Sequence, residues 1–200
     1  MEKDNNKKTT TAITSDDILL AALKLFAAKG YFNTSLTDIK NAIGASSPHA
    51  IHAHFKTKQE IACALYQKIL DSLSCSIDDI RRRNRKTAEQ LREIVDLLFS
   101  LADEAPEIIQ FLFGLRLTEI LPEQKPLLQT APFDKIKKIL QAGIKAGEVR
   151  NIDASLAYAH FFGVIQQTLQ LILLGELDKK AEHYQSQTWI NAWNTIAKDK

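Results

Sequence analysis

Residues 34–60 decide the fold: TSLTDIKNAIGASSPHAIHAHFKTKQE, from Thr34 to Glu60. Two short helical patterns flank Gly44-Ala45-Ser46. The first starts at Thr34 or Ser35 and stops at Gly44. The second starts at Ser46 or Ser47 and ends near Phe55. Pro48 suits its first helical position, where a missing N–H costs nothing. Two short helices joined by a tight glycine-containing turn make a helix-turn-helix. In the second helix Ile51 and Phe55 are four apart and share one side. Ser47, His49, Ala50, His52 and Ala53 fill the other. That face is small and hydrogen-bonding, so it can approach base edges in a DNA major groove. Thr34, Ser35, Ser46 and Ser47 place hydroxyls at helix starts, where free N–H groups can join them on a phosphate. Lys58 can neutralise a phosphate, and His54 is a further candidate contact.

Outward from this stretch the chain reads as all helix. Only five Pro and seven Gly punctuate its 200 residues, and apolar residues recur at spacings of 3 and 4. Residues 1–14 read as a flexible polar arm. Ser15 is expected to cap a first helix that ends at Gly30. Thr57 and Glu60 have the spacing of a capping box. They predict a fourth helix of about 25 residues, closed by Arg81, Arg82, Arg83, Arg85 and Lys86 beside the negative end of its dipole. A fifth helix follows Thr87. A sixth runs from Pro106 to about Leu121, and 122–132 reads as a loop. A seventh covers Phe133 to Gly147, an eighth 154–174 after an Asp153 cap and a ninth 180–197. The reading is an all-α chain of about nine helices: an N-terminal three-helix helix-turn-helix domain over 15–56, then a C-terminal helical bundle over 57–200.

Charge follows the same division. Residues 1–60 hold eight Lys and six acids, and the other 140 hold 18 of each sign, so the whole excess of +2 sits in the N-terminal segment. Such a balance excludes a uniformly basic or acidic chain. Cys63 and Cys75 would lie roughly 18 Å apart on one helix, beyond bonding reach, and fit reduced thiols in a cytosol. The polar first 14 residues contain no apolar leader, so a cytoplasmic protein is expected.

Over residues 16–65 the chain resembles the DNA-binding region of the tetracycline-repressor (TetR) family. The resemblance is carried by Ile18, Ala21-Ala22, Leu25-Phe26, Lys29-Gly30-Tyr31 and Thr34-Ser35. It continues through Asp38-Ile39, Gly44, Ser46, Ile51, His54-Phe55, Lys58 and Glu60. It implies a transcriptional regulator whose remaining helices bind a ligand and form a homodimer. Two departures stand out. Ser46 to Phe55 spans nine positions where the family has eight. Either Ser47 takes the serine's role after a lengthened turn, or the recognition helix starts differently. His49 and His52 stand where the family favours Gly and Tyr. His49-x-x-His52-x-His54 superficially suggests metal, but His52 and His54 diverge on a helix, so no metal and no cofactor are expected. Protonated imidazoles beside phosphate predict that DNA affinity strengthens from about pH 8 to about pH 6.

The eighth helix, 154–174, is apolar all round and should be buried on all sides, by its own bundle and by a second subunit. His160, Gln166, Gln167 and Gln170 make it a poor membrane span. With Trp189 and Trp193 on the ninth helix, it predicts a homodimer through the last two helices. Two recognition helices would then read a palindromic double-stranded operator about 34 Å apart. Phe99, Phe111, Phe113, Leu115, Phe161 and Phe162 are candidate walls of an effector pocket. Arg116, Glu119, His160, Gln166 and Gln167 are its candidate polar groups. A small apolar effector, aromatic or lipid-like, would shift the population away from the DNA-binding state, as in a repressor. An enzyme is not expected: there are no Glu-x-x-His pairs, no glycine-rich phosphate loop and no nucleophile elbow. The alternative is a helical ligand-binding or protein-interaction module that has lost DNA binding.

Overall fold

A computed structural model describes residues 13–47 and 49–198. The arm's Lys3, Lys7 and Lys8, and the Pro48 expected at a helix start, lie outside the described residues. Ten α-helices are present among those described. They are α1 (Ser15–Lys29), α2 (Leu36–Ala42), α3 (His49–His52), α4 (Lys58–Arg83) and α5 (Thr87–Glu104). Then follow α6 (Pro106–Ile109), α7 (Leu117–Ile120), α8 (Ala131–Ala146), α9 (Ala154–Leu173) and α10 (Ala181–Asn194). No helix among the described residues is long and apolar enough to cross a membrane.

Local signals set most boundaries. The cap of α1 is Thr14, not Ser15. Its hydroxyl accepts from the Asp17 N–H while the Asp17 carboxylate accepts from the Thr14 N–H. Ser35 and Asp38 build the same reciprocal cap on α2. Thr57 caps α4 through the Glu60 N–H, but the Glu60 carboxylate takes the Lys56 N–H instead of closing a box. Asp153 caps α9 through the N–H groups of Ser155 and Leu156. Pro132 stands in the first turn of α8, which therefore starts inside the stretch read as a loop. α10 stops at Asn194, and Ala197 then pairs with Val149 in an isolated antiparallel bridge.

The single helix expected over 106–121 is broken. After α6 the chain widens into a π-turn over Gln110–Gly114, runs extended at Leu115, and re-enters helix at α7. The reason is packing. Phe111 and Ile120 are buried in the same core. In one continuous helix, positions nine apart face about 180° away from each other. Breaking the helix lets both point inward.

Two apolar cores result. The first packs α1, Ile39 of α2 and Ile51 of α3 onto the first half of α4, and takes Phe111, Leu112, Ile120 and Leu121 from the broken segment. The second packs the end of α4 with α5, α8, α9 and α10. α4 is common to both, with Leu73 in the first and Ile77 in the second. Its 26 residues span roughly 39 Å, so one helix enters both cores.

Candidate nucleic-acid interface

The helix-turn-helix is assembled from its turns. Gly44, at φ +66°, takes the left-handed conformation that reverses the chain after α2. The Ser47 hydroxyl accepts from the His49 N–H at 3.3 Å, so Ser47, not Ser46, stands at the start of α3. The lengthened turn thus ends at Ser47. Helix-like bonds continue past α3: the N–H of Ala53 donates to His49 O, and that of Phe55 to Ile51 O, both at 2.9 Å. Ile51 is 2% exposed and anchors the helix in the first core. Ser46, Ser47, His49 and His52 are exposed, and Ala50 is half-buried among them. These five form one polar, small-residue surface on the side opposite Ile51.

The other proposed contacts point elsewhere. Thr34 is 1% exposed, and its hydroxyl donates to Gly30 O at 2.9 Å, an internal tie. The Ser35 hydroxyl is engaged in its cap, donating to the Asp38 carboxylate at 2.7 Å. The His54 ring donates to Ile13 O at 3.1 Å, holding the start of the described chain against the end of α3. The Lys58 ammonium donates to Tyr31 O and Thr34 O instead of facing solvent. Lys56, exposed between α3 and α4, was not singled out in the sequence. Its position between His54 and the Thr57 cap was the available signal. Among the described residues no group of three His, Cys, Asp or Glu side chains could hold a metal ion.

The effector candidates divide in the same way. Phe99, Phe111 and Phe161 are fully buried in the two cores. Phe113 is half-buried, edge-on to Phe133, and Leu115 packs beside the first core. Arg116 and Glu119 pair with each other at 3.0 Å on the surface. His160 and Gln167 lie on the exposed side of α9. Phe162 and Gln166 come together in a cleft of about 470 Å³ between α8 and α9, also lined by Phe133, Tyr158, Leu128 and Gln129. Tyr158 stacks on Phe162 at 4.7 Å, and burial pushes its phenol well above the ordinary tyrosine range. Their spacing of four was the signal that sequence reading passed over.

A helix-turn-helix with an exposed polar face, mounted on a long helix that reaches a second core, defines a DNA-binding regulator. The sequence profile of bacterial regulatory proteins of the tetR family matches residues 18–65. The HTH-type transcriptional activator FasR of Mycolicibacterium smegmatis is 25% identical over 96 residues, which span 48% of this chain and 43% of that protein. The HTH-type transcriptional repressor NicS of Pseudomonas putida is 23% identical over 181 residues, 84% of this chain and 85% of that protein. The crystal structure of the transcriptional regulator FadR from Bacillus subtilis, in complex with stearoyl-CoA, superposes with a TM-score of 0.71. It is 19% identical, covering 92% of this chain and 100% of that one. Over residues 18–65 the chain is thus similar to the tetR family, and both of these curated relatives are transcriptional regulators.

Proposed function

We propose that the chain is a dimeric cytoplasmic repressor, released from a palindromic operator by a small apolar effector. Residues 15–56 are the reading head, and 57–200 are the effector-binding and dimerisation unit. The observation that carries the reading is the exposed Ser46–Ser47–His49–Ala50–His52 surface over a buried Ile51. Serine hydroxyls and the N–H groups at the start of α3 would meet phosphate. His49 and His52 would meet base edges or phosphate, and the small Ala50 allows close approach.

Dimerisation is supported by the outer side of the last two long helices. α9 is apolar, yet in the single chain it is buried on one side only. Leu156 on α9, Leu174 just past its end and Ile190 on α10 are about half exposed or more. A second copy placed against this side would satisfy the burial that the sequence demands. Such a contact would be isologous, so two heads would be related by a two-fold axis, as a palindrome requires.

The effector would occupy the α8–α9 cleft. Leu128 and Gln129, on a short helical turn over Leu127–Gln129, form one wall. The same loop holds α4: the Tyr66 hydroxyl donates to Lys125 O at 3.2 Å, and the Gln67 amide to Gln124 Oε1 at 2.7 Å. A ligand that moves this wall therefore pulls on the half of α4 that carries the reading head. Ligand binding that favours the displaced arrangement lowers DNA affinity by the same free-energy coupling that DNA exerts on the ligand.

The test has two stages. Selection from a random duplex library should enrich one palindrome. Fatty acids, acyl-CoA esters including the stearoyl-CoA held by the FadR relative, and aromatic acids are then titrated into the complex. Release by one class and not the others names the effector. Selection without enrichment at low salt would instead favour a ligand-binding module that no longer reads DNA.

A further inference from the structure

The α8–α9 cleft carries a positive charge and no negative one. Lys137 lines it, one helical turn past Phe133 on the same face of α8, and no Asp or Glu is among the lining residues. The lysines on either side of it are engaged elsewhere. Lys135 donates to the Ser74 hydroxyl and the Asp78 carboxylate of α4, and Lys138 pairs with Asp134 at 2.8 Å. Lys137 is half-buried and enters no ion pair among the described residues.

The Tyr158 hydroxyl is a second donor. It makes no hydrogen bond to another described residue, and burial alone raises its phenol, so it stays protonated at neutral pH. The body of the cleft is apolar: the Tyr158 and Phe162 rings stack, and Phe133 meets Tyr158 edge-on at 6.3 Å. The small Ala159 and Gly163 keep its α9 side open, and a Cβ added at Gly163 would meet nothing within 4 Å. A half-buried cation without a counter-charge, beside an unpaired donor and over apolar rings, is complementary to an apolar molecule that brings its own anion.

We propose that the cleft binds an apolar molecule bearing one free carboxylate, with the Lys137 ammonium as its ion-pair partner and the Tyr158 hydroxyl as its second donor. The inference rests on the reading of this cleft as the effector site, and it narrows the effector to an organic acid. A primary amide of the same body fills the same apolar space but loses the charge-assisted bond. The rim amides of Gln129 and Gln166 can bond to acid and amide alike, so they do not discriminate between them.

The experiment is calorimetric titration of the full-length protein with naphthoate and octanoate, each beside its primary amide. The two acids distinguish an aromatic body from an alkyl one. At least one acid is expected to bind roughly 10-fold or more tightly than its amide, the worth of a hydrogen bond to a charged group. Lys137→Met keeps the stem and removes the charge. It should bring that acid down to the affinity of its amide and leave the amide unchanged. Tyr158→Phe should weaken the acid by a smaller factor. Gly163→Trp fills the cleft from its open side and should abolish binding of acid and amide together.

Each departure has its own meaning. Acid and amide binding equally, both blocked by Gly163→Trp, would keep the cleft as the effector site and overturn the carboxylate. An acid preference that survives Lys137→Met would overturn the assignment of Lys137. Binding that Gly163→Trp leaves intact would place the ligand outside the cleft, and the effector-site reading itself would fail. Binding of neither acid overturns the proposal as well. Amine labelling of the wild-type protein tests the ion pair even if K137M does not fold. The preferred acid at saturation should slow labelling of Lys137 several-fold and leave its exposed neighbour Lys138 unchanged; a Lys137 rate indifferent to the acid would contradict the ion pair.

Discussion

His49 and His52 stand one turn apart on the exposed side of α3, while Ile51 between them is buried. The neighbours therefore separate function from stability at single-residue resolution. His49→Ala and His52→Ala should each weaken operator affinity by about 1–3 kcal/mol, roughly 5- to 150-fold, if the rings touch base edges. Thermal unfolding should barely change, because exposed substitutions away from caps stay within about 0.5 kcal/mol. Affinity measured by fluorescence anisotropy, beside a melting curve, checks both. Unchanged affinity would remove the histidines from the interface. The helix-turn-helix itself was legible from residues 34–60, since caps, a turn glycine and an Ile-x-x-x-Phe anchor are local signals. The duties of individual hydroxyls and ammoniums were not. Thr34 and Ser47 both stand near helix starts, yet Thr34 turns inward to Gly30 O and Ser47 faces solvent. Sequence spacing does not distinguish an internal backbone bond from a phosphate ligand. Lys58 is the same case, because only the folded α1–α2 turn brings two carbonyls to it.

At the scale of elements, α4 is tied to its neighbours at defined points. Lys135 of α8 donates to Ser74 O, to Ser74 Oγ at 2.6 Å and to the Asp78 carboxylate at 2.5 Å. The Lys135 hydrogen bond, with the nearby Arg81 and Arg82 charges, holds the Asp78 carboxyl below its ordinary value. A carboxyl depressed in the fold contributes stability above its unfolded value of about 3.9, and loses it as pH falls through the folded value. Asp78→Asn should therefore be less stable than wild type by a constant amount between about pH 5 and 7, and the gap should close below about pH 4. Urea unfolding across that range measures it; a gap independent of pH would deny the ion pair its role. A second element contact is steric. A Cβ on Gly143 of α8 would meet Thr87 Cγ2 at 2.6 Å and Val149 Cγ2 at 2.9 Å, both in buried residues. Gly143→Ala should cost about 1–3 kcal/mol by overpacking, despite the better helix propensity of alanine. An equal or higher unfolding midpoint would contradict that packing. Helix existence was largely readable in the apolar period. The break in 106–121 was not, because its cause is the shared burial of Phe111 and Ile120 in one tertiary core. The cleft was half legible: Phe162 and Gln166 were named, but Phe133 and Leu128 reach it only through the fold.

At the scale of the whole molecule, two cores share one helix, and the outer side of the last two long helices exposes Leu156 and Ile190 among polar residues. Leu156→Glu combined with Ile190→Glu places charge on that side without touching either core. The double variant should sediment as a monomer while keeping its helical circular dichroism. Its operator affinity should fall by at least ~10²-fold, since two linked half-sites gain 10²- to 10⁴-fold over one. A variant that stays dimeric would move the interface elsewhere. The measurement that tests the central claim most directly is selection of duplexes by the purified wild-type protein from a random-sequence library. The account predicts enrichment of a single palindrome, with half-sites about one or two helical turns apart. Loss of that enrichment even at low salt would contradict it, and would mean that the surface from Ser46 to His52 does not read DNA.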